Sequence, residues 1–164
     1  MNLQIMILVG APCSGKSTFA RYFIRTEENW MRLSKDDFRA MQFVSGNSSG
    51  DKERLISDMI DAAIEALLKK KCNVLLDAPH CLKEDIDHYI RRFNHLADIS
   101  FKLFDIDFDT LVERNETRSQ NIGKSFSLSK LKKFVDDFEK LKTEFDFETK
   151  HKINIETNDS IIQI

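Results

Sequence analysis

The stretch of sequence with the most specific chemistry is GAPCSGKST, which follows the apolar run LQIMILV. It matches the spacing G-x-x-x-x-G-K-[ST], with a strand pattern before it and a helix pattern, Ser17–Arg25, after it. Glycines let successive backbone N–H groups turn toward an anion at a helix N-terminus, where the helix dipole favours negative charge. The pattern predicts a loop that binds nucleotide phosphates. Its residues are Gly10, Ala11, Pro12, Cys13, Ser14, Gly15, Lys16, Ser17 and Thr18.

Two side chains of this loop have predictable roles. Lys16 is expected to reach the β- and γ-phosphates, and the Ser17 hydroxyl is expected to bind Mg²⁺. The guanine-reading motif Asn-Lys-x-Asp does not occur in the sequence, and no Asp-x-x-Gly follows the later apolar run NVLLD. These features disfavour a GTPase, so ATP is the expected nucleotide.

A second candidate site is LSKDDFR, where a strand pattern gives way to a helix pattern. Ser34 is a predicted N-cap, and Asp37 is expected to complete a capping box with it. Asp36 follows a strand whose carboxyl end faces the phosphate loop in a sheet of this type, so it can accept the proton of an attacking hydroxyl. Arg39 lies on the same helical face and can hold an anion on the acceptor. Local sequence alone supports the catalytic and the capping interpretation of Asp36 equally.

The segment NVLLDAPH supplies two further candidates. Asp77 ends the apolar run in the position of an acid that holds Mg²⁺ through water, although an aspartate there can also serve a turn. His80 can contribute to the acceptor site, but a plain turn histidine is the favoured alternative.

Arg114 and Arg118 are the candidates for neutralising charge on the transferred phosphate. They lie four residues apart in DTLVERNETRSQ, a helix pattern with Asp109 as its predicted N-cap, and so share one helical face. Surface arginines usually have no such role, but the polar, glycine-containing segment SQNIGKSFS follows directly and predicts a lid at about residues 114–127. Lys124, which lies within the lid, is a weaker candidate.

These elements together resemble the phage-type polynucleotide 5′-hydroxyl kinases, the 5′-end-healing half of nucleic acid repair. The resemblance rests on GAPCSGKST, KDDFR, VLLD and the pair Arg114 and Arg118, in matching order and close spacing over nearly the whole chain. It implies transfer of the γ-phosphate of ATP to the 5′-hydroxyl end of single-stranded or nicked DNA or RNA. A separate ligase and a 3′-phosphatase are the partners that such a role implies.

The resemblance also implies individual roles. Asp36 would be the general base, Arg39 would contact the 3′-phosphate of the acceptor's terminal nucleotide, and Arg118 would clamp the β- and γ-phosphates. Ala78 and Pro79 depart from the family pattern, which has a small hydroxyl residue and an Asn-type side chain there. The departure puts fine acceptor preference in question and leaves the base and the phosphate loop intact.

Three alternatives remain at this stage. A small-molecule kinase for a nucleoside, a sugar or a related metabolite would share every catalytic residue. An ATP-binding regulatory module without turnover is disfavoured, because it would need no base such as Asp36. The segment FDIDFDT resembles the D-x-D-x-[TV] opening of haloacid-dehalogenase phosphatases, but Asp109 occupies its fifth position, and the roughly fifty residues that follow are too few for that domain.

Composition sets limits on these interpretations. The chain has 164 residues, of which 41% are hydrophobic and 32% charged, and a net charge of −2, which disfavours an extended basic groove along a duplex. The longest apolar runs are strand-sized, and MNLQIMILVG resembles a first strand more than a signal peptide, so no membrane association is expected.

Three cysteines without paired spacing are typical of reduced thiols in a cytoplasm. A single domain, 1–164, is expected.

Apolar strands alternate with amphipathic helix patterns, which predicts an α/β P-loop kinase fold: a parallel sheet of four to five strands, helices on both faces and a lid. The segment Phe43–Asp51, rich in Gly and Ser, is predicted to be a mobile loop. Strands are predicted at Gln4–Val9, Met31–Ser34, Asn73–Asp77, Ile99–Ile106 and Lys152–Glu156.

Three further helices are predicted from apolar residues at three- and four-residue steps, and their stripes are expected to face the core. They span Asp51–Lys71, Lys83–Leu96 and Ser127–Leu141. The stripe of the first helix contains Leu55, Met59, Ile60, Ala63, Ile64 and Leu67. The stripe of the second contains Ile86, Tyr89, Ile90 and Phe93. The stripe of the third contains Leu128, Leu131, Phe134, Val135, Phe138 and Leu141.

Overall fold

The computed structural model describes residues 2–41, 50–123, 125–147 and 153–156. The loop predicted at Phe43–Asp51 lies outside these residues up to residue 49, as does Lys124 of the lid. The elements are β1 (Gln4–Val9), α1 (Lys16–Thr26), β2 (Trp30–Ser34), α2 (Lys35–Ala40), α3 (Gly50–Lys69), β3 (Asn73–Asp77), α4 (Lys83–Phe93), β4 (Asp98–Phe104), α5 (Phe108–Ile122), α6 (Leu128–Glu144) and β5 (Ile153–Glu156).

The strands form one sheet in the order β2-β3-β1-β4-β5, and every neighbouring pair is parallel. Parallel strands bury both faces, which explains why the central strands are apolar almost throughout. Because all the strands point the same way, the loops that follow β1, β2 and β3 leave from one edge of the sheet. Ser34 pairs with Asp77 in register at that edge, so the ends of two predicted site segments are adjacent.

Helices cover both faces of the sheet, as predicted. On one face, alternate residues of β1 such as Ile5 and Ile7 pack with α3, α4 and α6 in the largest core cluster. On the other face, Leu8, Leu75 and Phe104 pack against α1. None of the helices in the described part of the chain has both the length and the apolar character that crossing a membrane requires.

Gly10 fixes the phosphate loop to the end of β1. Its φ of 149° lies in a region that L side chains rarely adopt, and a Cβ there would lie 2.8 Å from the Phe104 carbonyl oxygen. Its N–H donates to the Pro79 carbonyl at 2.9 Å, which ties the loop to the chain after β3. Gly15 (φ 99°) is the N-cap of α1, so its backbone turns the chain into the helix.

Part of the predicted core stripe of α3 is wrong. Leu55 and Met59 are 57% and 38% exposed, whereas Ile56 and Ile60 are buried. The buried apolar residues form one row four apart, continued by Ile64 and Leu68, and Leu67 of the predicted stripe packs beside it. Leu128 is also exposed, at 57%, because α6 begins with it, one turn before its first buried residue.

The predicted start of α5 is wrong by two residues. The N-cap is Asp107, whose carboxylate accepts hydrogen bonds from the backbone N–H and the hydroxyl of Thr110, both at 2.8 Å. Asp109 lies in the first turn instead, where its charge still favours the helix dipole. Two aspartates two residues apart are both plausible caps, and the earlier one prevails because β4 already ends at Phe104.

Candidate active site

A cleft of about 1440 Å³ lies at the carboxyl edge of the sheet. The phosphate loop forms its floor, and α2, α5 and α6 contribute to its walls. Gly10 and Ala11 lie behind the floor and do not line the cleft, whereas the other predicted site residues do. These are Pro12, Cys13, Ser14, Gly15, Lys16, Ser17, Thr18, Asp36, Arg39, Asp77, His80, Arg114 and Arg118.

Lys16 is held at the centre of the phosphate loop. Its ammonium group donates to the Ala11 carbonyl at 2.6 Å and to the Ser14 hydroxyl at 3.0 Å. The residue is only 6% exposed, and this burial lowers the pKa of Lys16, against the opposing effect of nearby acids such as Asp77. A buried cation whose partners are one carbonyl and one hydroxyl prepares the loop for an anion, because charged phosphate oxygens are better partners for an ammonium group than neutral oxygens are.

The structure brings the two predicted metal-binding residues together. Ser17 Oγ donates to Asp77 Oδ1 at 3.1 Å, although the residues are 60 positions apart in sequence. A hydroxyl and a carboxylate oxygen at this spacing are the hard oxygen ligands that Mg²⁺ prefers, directly or through water. The pair therefore fits the predicted metal, next to the loop that would bind the phosphates.

Arg32 is a cleft residue that the sequence reasoning missed. Its Nε and Nη2 donate to Asp77 Oδ2 at 2.8 and 2.7 Å, and its Nη1 donates to Asp37 Oδ2 at 2.6 Å. Burial lowers the pKa of Arg32, but the hydrogen bonds and charges of the two aspartates outweigh it and raise the pKa overall. One feature of the sequence could have indicated a special role for Arg32. It lies two residues after Trp30, on a strand face that an apolar side chain would normally occupy.

The same contact shows that the predicted capping box is wrong. Ser34 is the N-cap of α2, but its side chain makes no capping hydrogen bond. Asp37 pairs with Arg32 instead of the helix terminus, because the guanidinium on the adjacent strand offers a charged donor and the backbone N–H a neutral one.

Asp36 and Arg39 lie side by side on α2, as predicted. Arg39 Nη1 donates to Asp36 Oδ1 at 2.7 Å, and the Asp36 side chain is 79% exposed to the cleft. A further partner, Glu53 of α3, accepts two hydrogen bonds from Arg39, both at 2.8 Å. The hydrogen bond to Glu53 is the largest of the effects that raise the pKa of Arg39. Arg39 is thus a permanent cation held in a fixed direction at the cleft wall.

His80 is turned into the protein. It is 3% exposed, and its Nδ1 lies 2.9 Å from the Leu8 carbonyl, so Nδ1 must carry the hydrogen. Burial lowers the pKa of His80 to about 4, and the ring packs edge-on against Tyr89. Its φ of 46° marks a turn, so these contacts favour the turn interpretation over a contact with the acceptor.

The two lid arginines have different surroundings. The buried Nη1 of Arg114 has no hydrogen-bond partner among the residues that the structure describes, an arrangement that a bound anion would satisfy. Arg118 lies over the Phe126 ring, with 5.3 Å between the guanidinium carbon and the ring centroid. Both arginines project from α5 into the cleft, so the predicted common face is confirmed.

Asn115, between these arginines, is a second residue that the sequence reasoning missed. It is 4% exposed, and its amide exchanges two 2.9 Å hydrogen bonds with the backbone N–H and C=O of Phe126. Its oxygen also lies 3.8 Å from Cys13 Sγ in the phosphate loop. Asn115 therefore fastens the end of the lid segment to α5 above the loop.

The family model described as an AAA domain matches residues 5–141, a span that includes every predicted site residue. The chain belongs to this AAA domain family. Its sheet order and phosphate loop are those of the P-loop kinase fold within it. The search of curated proteins found no match.

Solved structures narrow the relationship. A chain of the Pnkp1/Rnl/Hen1 RNA repair complex is 44% identical, with a TM-score of 0.84 over 89% of this chain and 47% of that one. A second structure of the Pnkp1/Rnl/Hen1 complex contains a chain 48% identical, with a TM-score of 0.65 over 69% and 39%. This chain thus spans less than half of these two relatives. Chaetomium thermophilum Kti12 in complex with ADP-AlF3 is 17% identical, with a TM-score of 0.65 over 94% and 89%, and shares the fold.

Proposed function

We propose that this chain is an ATP-dependent polynucleotide 5′-hydroxyl kinase that acts in nucleic acid repair. The observation that carries the proposal is 44% identity, at a TM-score of 0.84, to a chain of an RNA repair complex. The motifs KDDFR and RNETR lie within the matched fold, and the charged residues of the first and the two arginines of the second line one cleft with the phosphate loop. An RNA end is accordingly the first acceptor to test, and a separate ligase and 3′-phosphatase remain predicted partners.

In the proposed reaction, the 5′-hydroxyl oxygen attacks the γ-phosphorus of ATP, its bond to phosphorus forms, and the bond to the β–γ bridging oxygen breaks to release ADP. Asp36 accepts the hydroxyl proton. Its exposure and its position in the same cleft as the phosphate loop support this role.

The cations of the cleft would stabilise the phosphates. Lys16 lies at the centre of the loop and is partly desolvated, so its charge acts strongly on a bound β- or γ-phosphate. Arg114 and Arg118 would approach from the lid, and the unpaired Nη1 of Arg114 supports an anion beside it. Ser17 and Asp77 would hold Mg²⁺, which neutralises charge on the β- and γ-phosphate oxygens when bound.

Arg39 would bind and orient the acceptor. A 3′-phosphate on the terminal nucleotide can replace the Glu53 carboxylate as the partner of Arg39, since both anions offer two oxygens to the guanidinium group. Because Arg39 also contacts Asp36, a phosphate bound there would place the nearby 5′-hydroxyl beside the base.

The test measures transfer from labelled ATP to matched acceptors: 5′-hydroxyl RNA and DNA oligonucleotides, a nucleoside 3′-monophosphate, the bare nucleoside and a free sugar. We expect the oligonucleotides and the 3′-monophosphate to be phosphorylated and the bare nucleoside to react at least about tenfold more slowly, the effect of losing one charge-assisted contact. Arg39→Ala should remove most of this preference and leave ATP binding unchanged.

The matched control is Arg92→Ala. Arg92 also pairs with a glutamate of α3, Glu65, but it lies outside the cleft, so the variant should keep the wild-type preference. Equal rates on the nucleoside with and without its 3′-phosphate would contradict the proposal and favour a small-molecule kinase.

A further inference from the structure

Arg32 occupies one oxygen of the carboxylate that the proposed metal site requires. Asp77 has a 3% exposed side chain, and its two oxygens face different donors: Oδ1 receives the Ser17 hydroxyl, and Oδ2 receives two N–H groups of Arg32. The carboxylate therefore cannot rotate without breaking a charge-assisted contact. Only the Ser17 side of the group remains directed at the phosphate loop.

The contact also changes the charge around Asp77. Arg32 is 15% exposed, and its positive charge lies within hydrogen-bond distance of a nearly fully buried carboxylate. Lys16, which is buried, adds a second cation near the same group. Arg32 and Lys16 together offset the charges of Asp77 and of Asp37, which also contacts Arg32. Before a nucleotide arrives, a divalent cation approaching Ser17 and Asp77 therefore meets no net negative charge from this group, and the polyanionic phosphates reverse this balance.

The sheet explains why Arg32 reaches this position. Arg32 pairs in register with Leu75, and Ser34 pairs with Asp77, so residues two apart on neighbouring parallel strands share one face. Trp30 and Leu75 of this face pack near α1, whose first turn carries Ser17. The alternation of β2 thus aims the guanidinium along the sheet toward the end of β3.

We propose that Arg32 is a positioning residue that fixes the Asp77 carboxylate and balances its charge, so that a divalent cation binds there only together with the nucleotide. The inference rests on the proposed metal role of Ser17 and Asp77. It assigns Asp37 a supporting part, because Asp37 holds the outer end of the guanidinium at 2.6 Å.

The test titrates Mn²⁺ in the absence of nucleotide and follows free Mn²⁺ by electron paramagnetic resonance. Wild type should show no specific binding. Arg32→Gln, which keeps a polar side chain and removes the charge, should show specific Mn²⁺ binding, at least about tenfold tighter than the weak nonspecific binding of wild type, because a unit charge this close has a large electrostatic effect. The double variant Arg32→Gln with Asp77→Asn should lose the gained binding, which assigns it to Asp77.

Equal Mn²⁺ binding by wild type and Arg32→Gln would overturn the proposal. Circular dichroism checks that each variant is folded. If Arg32→Gln does not fold, the same titration is made with wild type and with Arg32→Lys, which keeps the positive charge. Mn²⁺ binding at Asp77 without nucleotide, in either protein, contradicts the proposal. No acceptor is present in this experiment, so its failure is distinct from failure of the proposed transfer to nucleic acid ends.

Discussion

Asp36 and Asp37 are neighbours in sequence but belong to different charge networks. Asp36 pairs with Arg39 at the wall of the cleft, and Asp37 pairs with Arg32, which also contacts Asp77. Successive residues at the start of a helix point about a quarter turn apart, so each acid meets a different arginine. This division leads us to expect different roles for two similar carboxylates.

Replacement of these acids should separate their roles. Asp36→Asn should bind ATP normally and lose on the order of a hundredfold or more in transfer rate, the usual scale for a general base. Asp37→Asn should cost less than about 1 kcal/mol of stability, because the pair with Arg32 is exposed on the aspartate side. Single-turnover transfer and urea denaturation measure the two effects, and similar rate losses for both variants would contradict the division.

At the scale of elements, the lid depends on one buried amide. Asn115 of α5 satisfies both backbone groups of Phe126, just before α6 begins. Arg118 and Lys130 lie on the Phe126 ring at 5.3 and 5.5 Å, so the position of this ring sets that of two cleft cations. The α5–α6 pair thus carries Arg114 and Arg118, the arginines proposed to bind phosphate, next to a support, Asn115, that does not line the cleft.

Asn115→Ala should loosen this support. Loss of two hydrogen bonds at a half-buried backbone should cost about 1 kcal/mol or more, and the KM for ATP should rise roughly fivefold as Arg118 loses its orientation. Hydrogen exchange at the Phe126 amide should accelerate in parallel. Glu113→Ala, an exposed change on the same helix, is the control, and unchanged exchange and KM in Asn115→Ala would argue against the support.

At the scale of the whole molecule, His80 joins the central strand to the helical layer. Its Nδ1–H donates to Leu8 of β1, and its ring packs on Tyr89 of α4. Because the folded protein holds the pKa near 4 while an unfolded histidine titrates near 6.5, only the unfolded chain binds a proton between these values. The contribution of His80 to stability is therefore complete above about pH 6.5 and declines as the pH falls toward 4.

His80→Asn should remove this pH dependence. The Asn side chain can donate to the Leu8 carbonyl and tolerates the positive φ at this position. Between pH 6.5 and 4.5 the free energy of unfolding of wild type should fall more steeply than that of the variant, by up to about 1.4 kcal/mol per pH unit. Urea denaturation followed by Trp30 fluorescence measures both slopes, and parallel slopes would refute the assignment.

Much of the framework followed from sequence alone, because it depends on local and periodic signals. The phosphate loop matches a fixed spacing, and the predicted bounds of Gln4–Val9 and Asn73–Asp77 agree with β1 and β3. The parallel sheet and the helices on both faces follow from apolar strands that alternate with amphipathic helices. The strand ends placed Asp36 and Asp77 at one edge of the sheet, and the lid pattern together with the family resemblance singled out Arg118; all three line one cleft.

Only the tertiary structure decided which charges meet. Arg32 contacts Asp77 across 45 residues of sequence, and Asn115 supports Phe126 through a geometry that no spacing encodes. The rotation of α3, which exposes Leu55 and buries Ile56, likewise depends on the layer against which it packs. Short-range sequence patterns show which backbone conformation a segment prefers and which of its faces is apolar. The partner of a polar side chain, in contrast, depends on strand register and helix packing between segments that are distant in sequence.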